Sequence, residues 1–251
     1  MSVDLSDEEH IRYRRQLIMP EIGIRGQQRL KRATVLIAGL GGLGSVSAFQ
    51  LTAAGVGCLR IVDMDRVAVH NLNRQILHTS ADIGKPKTAS SLEKLKALNP
   101  HCRIEPLAAR ITGETAAAMV RGCDLILDGT DNLDTRRTLN RAARDAKIPF
   151  VFAGVDGLDG MVATFIPGRS GCLECIFPGD PHRTPAEIGV IAPTVGVIAS
   201  LQCLEAVRLL TGQEPNLAGN LIHFHGADMR IKRAIVPPNP NCRICSPNNG
   251  T

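Results

Sequence analysis

The fold is decided by the stretch Val35-Leu36-Ile37-Ala38-Gly39-Leu40-Gly41-Gly42-Leu43-Gly44-Ser45. Its four consecutive apolar residues, two of them β-branched, predict a buried strand. The Gly-x-Gly-x-x-Gly pattern that follows predicts a tight turn leading into a helix N-terminus. A phosphate can contact backbone N–H groups and the positive end of a helix only where no Cβ intervenes. We therefore predict a nucleotide site that includes Gly39, Gly41, Gly42 and Gly44.

A second strand is predicted over residues 59–62 and ends at Asp63, about twenty residues past the glycines. A carboxylate at this point can bind ribose hydroxyls. The commonest meaning of such a glycine pattern is an NAD(P) site, and an acidic residue here would suit NAD. The glycines and Asp63 thus indicate a nucleotide without saying which one.

Strands and helices are predicted to alternate up to about residue 154, which indicates a Rossmann-like, doubly wound α/β fold with a mostly parallel sheet. Residues 6–32 are expected to form a helical segment in front of it. Beyond residue 154 the pattern predicts antiparallel strands and one strongly apolar helix over 196–210. We expect a single domain with three parts: N-terminal helices (1–32), a nucleotide-binding part (33–154) and a C-terminal elaboration (155–251).

Composition narrows the class of protein. The chain has 251 residues, of which 44% are hydrophobic and 21% charged, as in ordinary globular proteins. Its apolar runs are too short to predict a membrane span, and the acidic N-terminal residues 1–8 are unlike a signal peptide, so we expect a cytoplasmic protein. The net charge of +5 is spread along the chain, and with no Trp and one Tyr, nucleic acid is not expected as the main partner.

Four of the eight cysteines form two Cys-x-x-Cys pairs about seventy residues apart. Four thiolates can close a tetrahedral structural zinc site, which would pin the C-terminal tail to the middle of the chain. The alternative is a redox disulfide pair. The predicted zinc ligands are Cys172, Cys175, Cys242 and Cys245.

Further polar residues follow the predicted strand ends, where open α/β sheets bind ligands. Asp131 comes just after a strand and at a helix start, where it can cap the helix or hold a metal ion that bridges phosphates. Arg15 could lie on a solvated helix face. Hydride transfer has no need of Arg15, Arg74 and Lys87 together with an acid; three cations and Asp131 make better sense where a triphosphate is cleaved.

Taken together, these motifs resemble the ThiF/MoeB/HesA adenylyltransferases, which are prokaryotic relatives of ubiquitin-activating enzymes. The resemblance runs from about residue 5 to 246. It rests on Arg12-Tyr13-x-Arg15-Gln16, Gly39-Leu-Gly-Gly-Leu-Gly44, Asp63-x-Asp65, Asn71-Leu-x-Arg74-Gln75, Gly84-x-Pro86-Lys87, Asp128-x-Thr-Asp131-Asn132 and the paired cysteines. It implies ATP-dependent activation of a small ubiquitin-like sulfur carrier protein, whose C-terminal Gly-Gly carboxylate attacks the α-phosphate and gives an acyl-adenylate and pyrophosphate. The pathway would be molybdopterin or thiamine biosynthesis, or tRNA thiolation.

The resemblance also implies roles for individual residues. The glycines approach ATP, and Asp63 binds its ribose. Arg15 is expected to reach the active site of a neighbouring subunit, which implies a homodimer. Phosphate contacts are implied for Asn71, Arg74 and Lys87, and Mg²⁺ binding for Asp131; Asp65 and Asn132 belong to the same nucleotide-binding set.

One departure concerns sulfur chemistry. Many relatives carry a cysteine four residues ahead of a Gly-Val pair, but here Pro185 stands there, and residues 176–202 contain no cysteine. Cys203 is expected to lie in the core. We therefore expect sulfur to come from a separate donor protein. Three alternatives remain: an NAD-dependent oxidoreductase, a carrier-binding module without turnover, and a related enzyme that adenylates a peptide or tRNA.

Overall fold

A computed structural model describes residues 4–179 and 189–246. The α-helices in these ranges are α1 (Asp7–Arg12), α2 (Arg14–Leu17), α3 (Gly23–Arg32), α4 (Gly42–Ala54), α5 (Lys87–Leu98), α6 (Gly113–Val120), α7 (Leu133–Ala146), α8 (Leu173–Ile176) and α9 (Ala192–Thr211). The strands are β1 (Thr34–Ala38), β2 (Cys58–Val62), β3 (Arg103–Leu107), β4 (Leu125–Asp128), β5 (Phe150–Asp156), β6 (Asp159–Phe165), β7 (Asn220–His225) and β8 (Arg230–Ile235).

The strands form one eight-stranded sheet in the order β3-β2-β1-β4-β5-β6-β7-β8. The first five strands of the chain pair in parallel, and β6, β7 and β8 continue the sheet in antiparallel fashion. Strand β1 lies between β2 and β4, so the chain order reverses at the carboxyl ends of β1 and β4. In open α/β sheets a crevice for ligands forms at this switch point. The predicted doubly wound fold with an antiparallel extension is confirmed.

Apolar side chains cover both faces of the sheet. One core lies between the sheet and α4, α5 and α9, around residues such as Ile37, Leu51 and Ile198. The other lies beneath α6, α7 and α8, around Phe152 and Leu139. Because both faces of the central strands are buried, their sequences are continuously apolar rather than alternating. The division of the chain into three functional parts stays a prediction.

The N-terminal segment differs from the single helical stretch predicted over 6–32. Its first helix ends at Arg12, and residues between Leu17 and Gly23 lie outside α-helices. Pro20 has no N–H to donate and disfavours helical backbone at the residue before it, and Gly23 has a φ of +55°. These two residues separate α2 from α3.

Helix α9 is longer than predicted and begins four residues earlier, at Ala192. Pro193 lies in its first turn, where a backbone N–H would have no hydrogen-bond partner within the helix. Contrary to the sequence-based expectation about membrane spans, α9 is long and apolar enough to cross a bilayer by length and composition. It packs against α4, β5 and β6, and the side chains of Gln202 and Glu205 on it are buried and hydrogen-bonded within the protein. We interpret α9 as a core helix.

Candidate nucleotide site and cysteine cluster

The glycine turn brings the start of α4 close to the ends of β1 and β4. Gly39 has a φ of +87°, and a Cβ on it would lie 2.8 Å from the carbonyl oxygen of Gly129. A Cβ on Gly44 would lie 1.8 Å from the carbonyl oxygen of Gly39. Only glycine permits this approach. The helix begins at Gly42 behind Gly41, with no side chain capping its N-terminus, so its first N–H groups are available to an anion.

Asp63 is tied directly to this turn. Its carboxylate accepts hydrogen bonds from the N–H of Leu40 at 2.7 Å and from the N–H of Asp65 at 2.8 Å. Burial raises the pKa of Asp63, and the nearby ammonium of Lys87 opposes that rise. Each carboxylate oxygen has two lone pairs, so both oxygens can still accept a bond from a ribose hydroxyl.

Lys87 is the first residue of α5, and its ammonium lies beside the Asp63 carboxylate. Its Nζ lies 2.9 Å from Oδ2 of Asp65 and 3.9 Å from Oδ2 of Asp63, and its side chain is only 6% exposed. The structure therefore joins three predicted site residues from two different segments into one ionic cluster. Folding has already fixed the Lys87 side chain. A phosphate that binds here would therefore contact a cation without a further loss of side-chain entropy.

The segment after β2 supplies Asn71, Arg74 and Gln75. Asn71 is buried, and its Oδ1 accepts a hydrogen bond from the N–H of Ala68, which shapes the local turn. The Cγ of Arg74 lies 3.7 Å from the position of a Cβ on Gly42, while the guanidinium donates to the carbonyl of His70. Arg74 is thus beside the glycine turn, as predicted.

Gln75 is a further candidate for binding a ligand, and the sequence analysis named it only as part of a motif. Its side chain is buried, and its Oε1 has no hydrogen-bond partner. Its Nε2 lies 3.9 Å from the position of a Cβ on Gly41. A buried polar atom without a partner costs stability, and a ligand donor at the glycine turn could supply the missing bond.

Asp131 and Asn132 follow β4, on the other side of the switch point. Asn132 caps α7, because its Oδ1 accepts a hydrogen bond from the N–H of Thr135 at 2.9 Å. The alternative in which Asp131 caps this helix is therefore wrong. Asp131 is exposed, and the only bond to it among the described residues is the donation of Asn132 Nδ2 to its Oδ1.

The loop that carries Asp131 is held by Asp128, which belongs to the same sequence motif, and by Arg136 and Gln202, which the sequence analysis did not name. Asp128 is fully buried; burial raises its pKa, and the guanidinium of Arg136 opposes this at 2.9 Å. The Arg136 guanidinium also lies over the ring of Phe152. Gln202 of α9 donates to the carbonyl oxygens of Asp128 and Val151. These contacts fix the end of β4 against its neighbours.

Arg15 lies away from the other predicted residues within the same chain. Its neighbours Tyr13 and Gln16 are bound near the C-terminal end of α4: Gln16 donates to the carbonyl of Ala54, and the hydroxyl of Tyr13 accepts from Asn99. The glycine turn is at the N-terminal end of α4, which at 13 residues is about 20 Å long. The Arg15 side chain is exposed, and it makes no hydrogen bond or ion pair with residues 4–179 and 189–246.

The four predicted zinc ligands meet in one cluster. Their sulfur atoms all lie within 4.8 Å of one another, with Cys172 3.7 Å from Cys242 and Cys175 3.5 Å from Cys245. A disulfide would need about 2.05 Å, whereas a tetrahedron of Zn–S bonds of about 2.3 Å has sulfur atoms about 3.8 Å apart. Backbone N–H groups point at two of the sulfurs, as thiolates require. The residues fit a structural zinc ion and not a disulfide pair.

The remaining sulfur-related predictions have different outcomes. Cys203 is buried in α9, and burial raises the pKa of its thiol to about 12, so it is a core residue rather than a nucleophile. Pro185 lies outside the described residues. A mostly parallel sheet with a glycine turn and an ionic cluster at its carboxyl edge is the arrangement of nucleotide-binding α/β proteins.

Sequence comparison agrees with this class. The model of the ThiF family matches residues 13–244, and the chain belongs to this family. It is 41% identical over 247 residues to the "Sulfur carrier protein adenylyltransferase" of Thermus thermophilus, a match that covers 95% of this chain and 91% of that protein. It is 37% identical over 245 residues to the "Molybdopterin-synthase adenylyltransferase" of Escherichia coli, covering 96% of this chain and 98% of that protein. The crystal structure of E. coli MccB with succinimide shares the fold: the TM-score is 0.85 at 24% identity, over 94% of this chain and 73% of that one.

Proposed function

We propose that this protein is an ATP-dependent adenylyltransferase that activates the C-terminal Gly-Gly carboxylate of a small ubiquitin-like sulfur carrier protein. The observation that carries this function is the meeting of the glycine turn, Asp63, Lys87 and Arg74 at one edge of the sheet in a ThiF-family chain. An NAD-dependent oxidoreductase would not need a buried lysine and an arginine beside the phosphates.

The chemistry is the attack of a carboxylate oxygen on the α-phosphorus of ATP. The carboxylate–phosphorus bond forms, the bond to the bridging oxygen breaks, and pyrophosphate leaves with the electron pair. Two anions must approach each other, so fixed cations are the main contribution the protein can make. Lys87 and Arg74 supply them, the N–H groups at the start of α4 bind phosphate oxygens, and Asp63 orients the ribose. The work is positioning and charge compensation.

The proposal includes two metal ions: Mg²⁺ at the nucleotide site and Zn²⁺ at the cysteine tetrad. Asp131 offers an exposed carboxylate at the switch point, and Mg²⁺ is commonly held by one or two carboxylates together with substrate phosphates. Such an ion would offset phosphate charge. The cysteine tetrad would hold Zn²⁺ in a closed site with no open position for substrate. Its role is structural, since Cys242 and Cys245 follow β8 while Cys172 and Cys175 follow β6.

The proposal includes a homodimer in which Arg15 of one subunit serves the site of the other. Its support is the separation of Arg15 from the glycine turn along α4. A second support is the presence of exposed apolar side chains on α4 and α9, two helices that pack together: Phe49, Val197 and Leu204 are 42%, 37% and 61% exposed. A dimer contact that covers these side chains would remove their apolar surface from water.

Sulfur would reach the activated carrier from a separate donor protein, because this chain has no cysteine in residues 176–202. The carrier belongs to molybdopterin or thiamine biosynthesis or to tRNA thiolation, and the enzyme works in the cytoplasm, without a nucleic-acid or membrane partner.

The direct test is ATP–pyrophosphate exchange with purified carriers from each of these pathways. Exchange should require Mg²⁺ and a carrier ending in Gly-Gly, and it should be lost in Lys87→Ala and Asp131→Ala. Asp131→Ala changes an exposed residue and should keep the wild-type melting temperature. Lys87→Ala leaves the Asp63 carboxylate without its cation and should melt lower, but it should remain folded at the assay temperature by circular dichroism. Lys96→Ala, an exposed change on the same helix as Lys87, is the matched control. Full exchange in Lys87→Ala, or nucleotide binding with no exchange against any carrier, would refute the assignment.

Mixing two inactive variants tests the shared site. In a dimer of one Arg15→Ala and one Lys87→Ala subunit, one of the two sites has both wild-type residues. Random mixing should therefore restore about a quarter of wild-type exchange. If mixing restores nothing, or if a monomer is fully active, Arg15 does not act in the partner's site.

A further inference from the structure

A second group of metal-binding side chains lies away from both the nucleotide site and the cysteine tetrad. Asp159 begins β6, and His223 and His225 lie near the end of β7. Asp159 is paired directly with His225 across the two antiparallel strands. His223 is two residues before His225, so both imidazoles project from the same face of the sheet as Asp159.

The side chains are already close enough to share an ion. One ligand atom from each residue lies within 4.8 Å of the others. Oδ2 of Asp159 is 3.7 Å from Nδ1 of His225, and the two imidazole centroids are 4.0 Å apart. Bonds of about 2.0–2.1 Å to a tetrahedral zinc ion put ligand atoms about 3.4 Å apart. Side-chain rotations that close the group by about 1 Å would complete the set.

Two features distinguish this group from a simple ion pair. An ion pair needs only Asp159 and His225, yet His223 is packed edge-on against His225. The other carboxylate oxygen of Asp159 accepts a hydrogen bond from the N–H of Gly226 at 3.3 Å, which orients the carboxylate from behind as in metal sites. All three residues are half-buried, so solvent can deliver an ion and fill its remaining positions.

The surrounding charges permit a cation here. Arg230 and Lys232 of β8 are paired in register with His225 and His223. Arg230 is bound by the carboxylate of Asp228, so its charge is offset locally. Lys232 is exposed and its flexible stem can place the ammonium in solvent.

We propose that Asp159, His223 and His225 form a second metal site, which binds a divalent transition-metal ion of the zinc class through two imidazoles and one carboxylate. Such a donor set with open positions is suited to Zn²⁺, Co²⁺ or Ni²⁺ and not to Mg²⁺, which prefers oxygen ligands. The site is exchangeable, unlike the cysteine tetrad, because it has three protein ligands and is open to water. Nothing in the proposed adenylation reaction uses these three residues.

The test counts zinc in the full-length protein by equilibrium dialysis. With the cysteine tetrad loaded, the wild type should bind one further equivalent. His223→Gln and Asp159→Asn should weaken this second equivalent at least about tenfold and leave the first unchanged. His10→Gln, an exposed histidine on α1, should bind as the wild type does.

Cobalt distinguishes the two sites by colour. Co²⁺ added to zinc-loaded protein should give d–d bands without the sulfur-to-cobalt charge transfer that a thiolate site produces. If the wild type binds only one equivalent, the site does not exist. If His223→Gln binds the second equivalent as tightly as the wild type, or if the added cobalt shows sulfur charge transfer, the ligands are not these residues. The number of zinc ions bound by the wild type decides by itself whether the second site exists, even if the variants are unstable.

Discussion

The replacement Gly44→Ala tests the glycine turn most sharply. The added methyl would lie 1.8 Å from the carbonyl oxygen of Gly39 and 2.8 Å from its carbonyl carbon. Both are backbone atoms at the end of β1, so no side-chain rotation relieves the contact. The start of α4 must move away from the strand by about 1 Å or more, in an interior packed as densely as an organic crystal.

We expect this movement to cost about 3 kcal/mol, at the upper end for overpacking in a core. For a chain of this size that corresponds to a fall in melting temperature of about 6–12 °C. The N–H groups at the start of α4 move with the helix, so ATP affinity should fall as well. The assays are thermal unfolding with and without ATP, and ATP–pyrophosphate exchange.

The control for this change is Gly113→Ala at the start of α6, where a Cβ meets nothing within 4 Å. It should alter stability by less than about 1 kcal/mol and leave exchange unchanged. If Gly44→Ala melts and exchanges as the wild type does, the close approach of α4 to β1 does not form the phosphate site, and the reasoning from the glycine turn fails.

Three further changes probe buried polar groups. Gln202→Leu removes the side-chain donor to two buried carbonyl oxygens, those of Asp128 and Val151. The free energy of unfolding should fall by about 3 kcal/mol in urea titrations, and an unchanged value would contradict this role of Gln202. Arg136→Met leaves the carboxylate of Asp128 buried without its cation and should cost about 3–5 kcal/mol, whereas the exposed change Arg121→Met should cost less than about 1 kcal/mol. Burial lowers the pKa of His78 to about 4, so the folded state binds fewer protons than the unfolded state below pH 6.5. Stability should therefore fall by about 3 kcal/mol as the pH drops from 6.5 to 4, and His78→Gln should flatten that slope in denaturant titrations across this range.

The central part of the fold could be predicted from local patterns. Short apolar runs between glycine turns and helical stretches indicate parallel strands, because such strands are buried on both faces. The glycine pattern at 39–44 predicts a tight turn at the end of β1 for a steric reason that is visible in the sequence, and the structure has this turn. The two Cys-x-x-Cys pairs likewise indicate a shared tetrad, since neither pair alone supplies four ligands.

Where a local signal has two meanings, the sequence left the outcome open or, as for the start of α9, placed it wrongly. Asp131 and Asn132 are adjacent and both favour helix caps, and only the backbone path shows that Asn132 caps α7. Pro193 can break a helix or stand in its first turn, and it does the second. The contacts of Gln202 with β4 and β5 join segments more than fifty residues apart, and no periodicity in the sequence reports them.

The sequence by itself determined the class of fold, the glycine turn after β1 and the cysteine tetrad, because each depends on residue types at short spacing. Only the tertiary structure decided which polar side chains meet. It joined Lys87 to Asp63, separated Arg15 from both within one chain, and placed Asp159 beside His223 and His225. These meetings depend on strand order and register, which arise from packing of the whole sheet and are not encoded in any single segment.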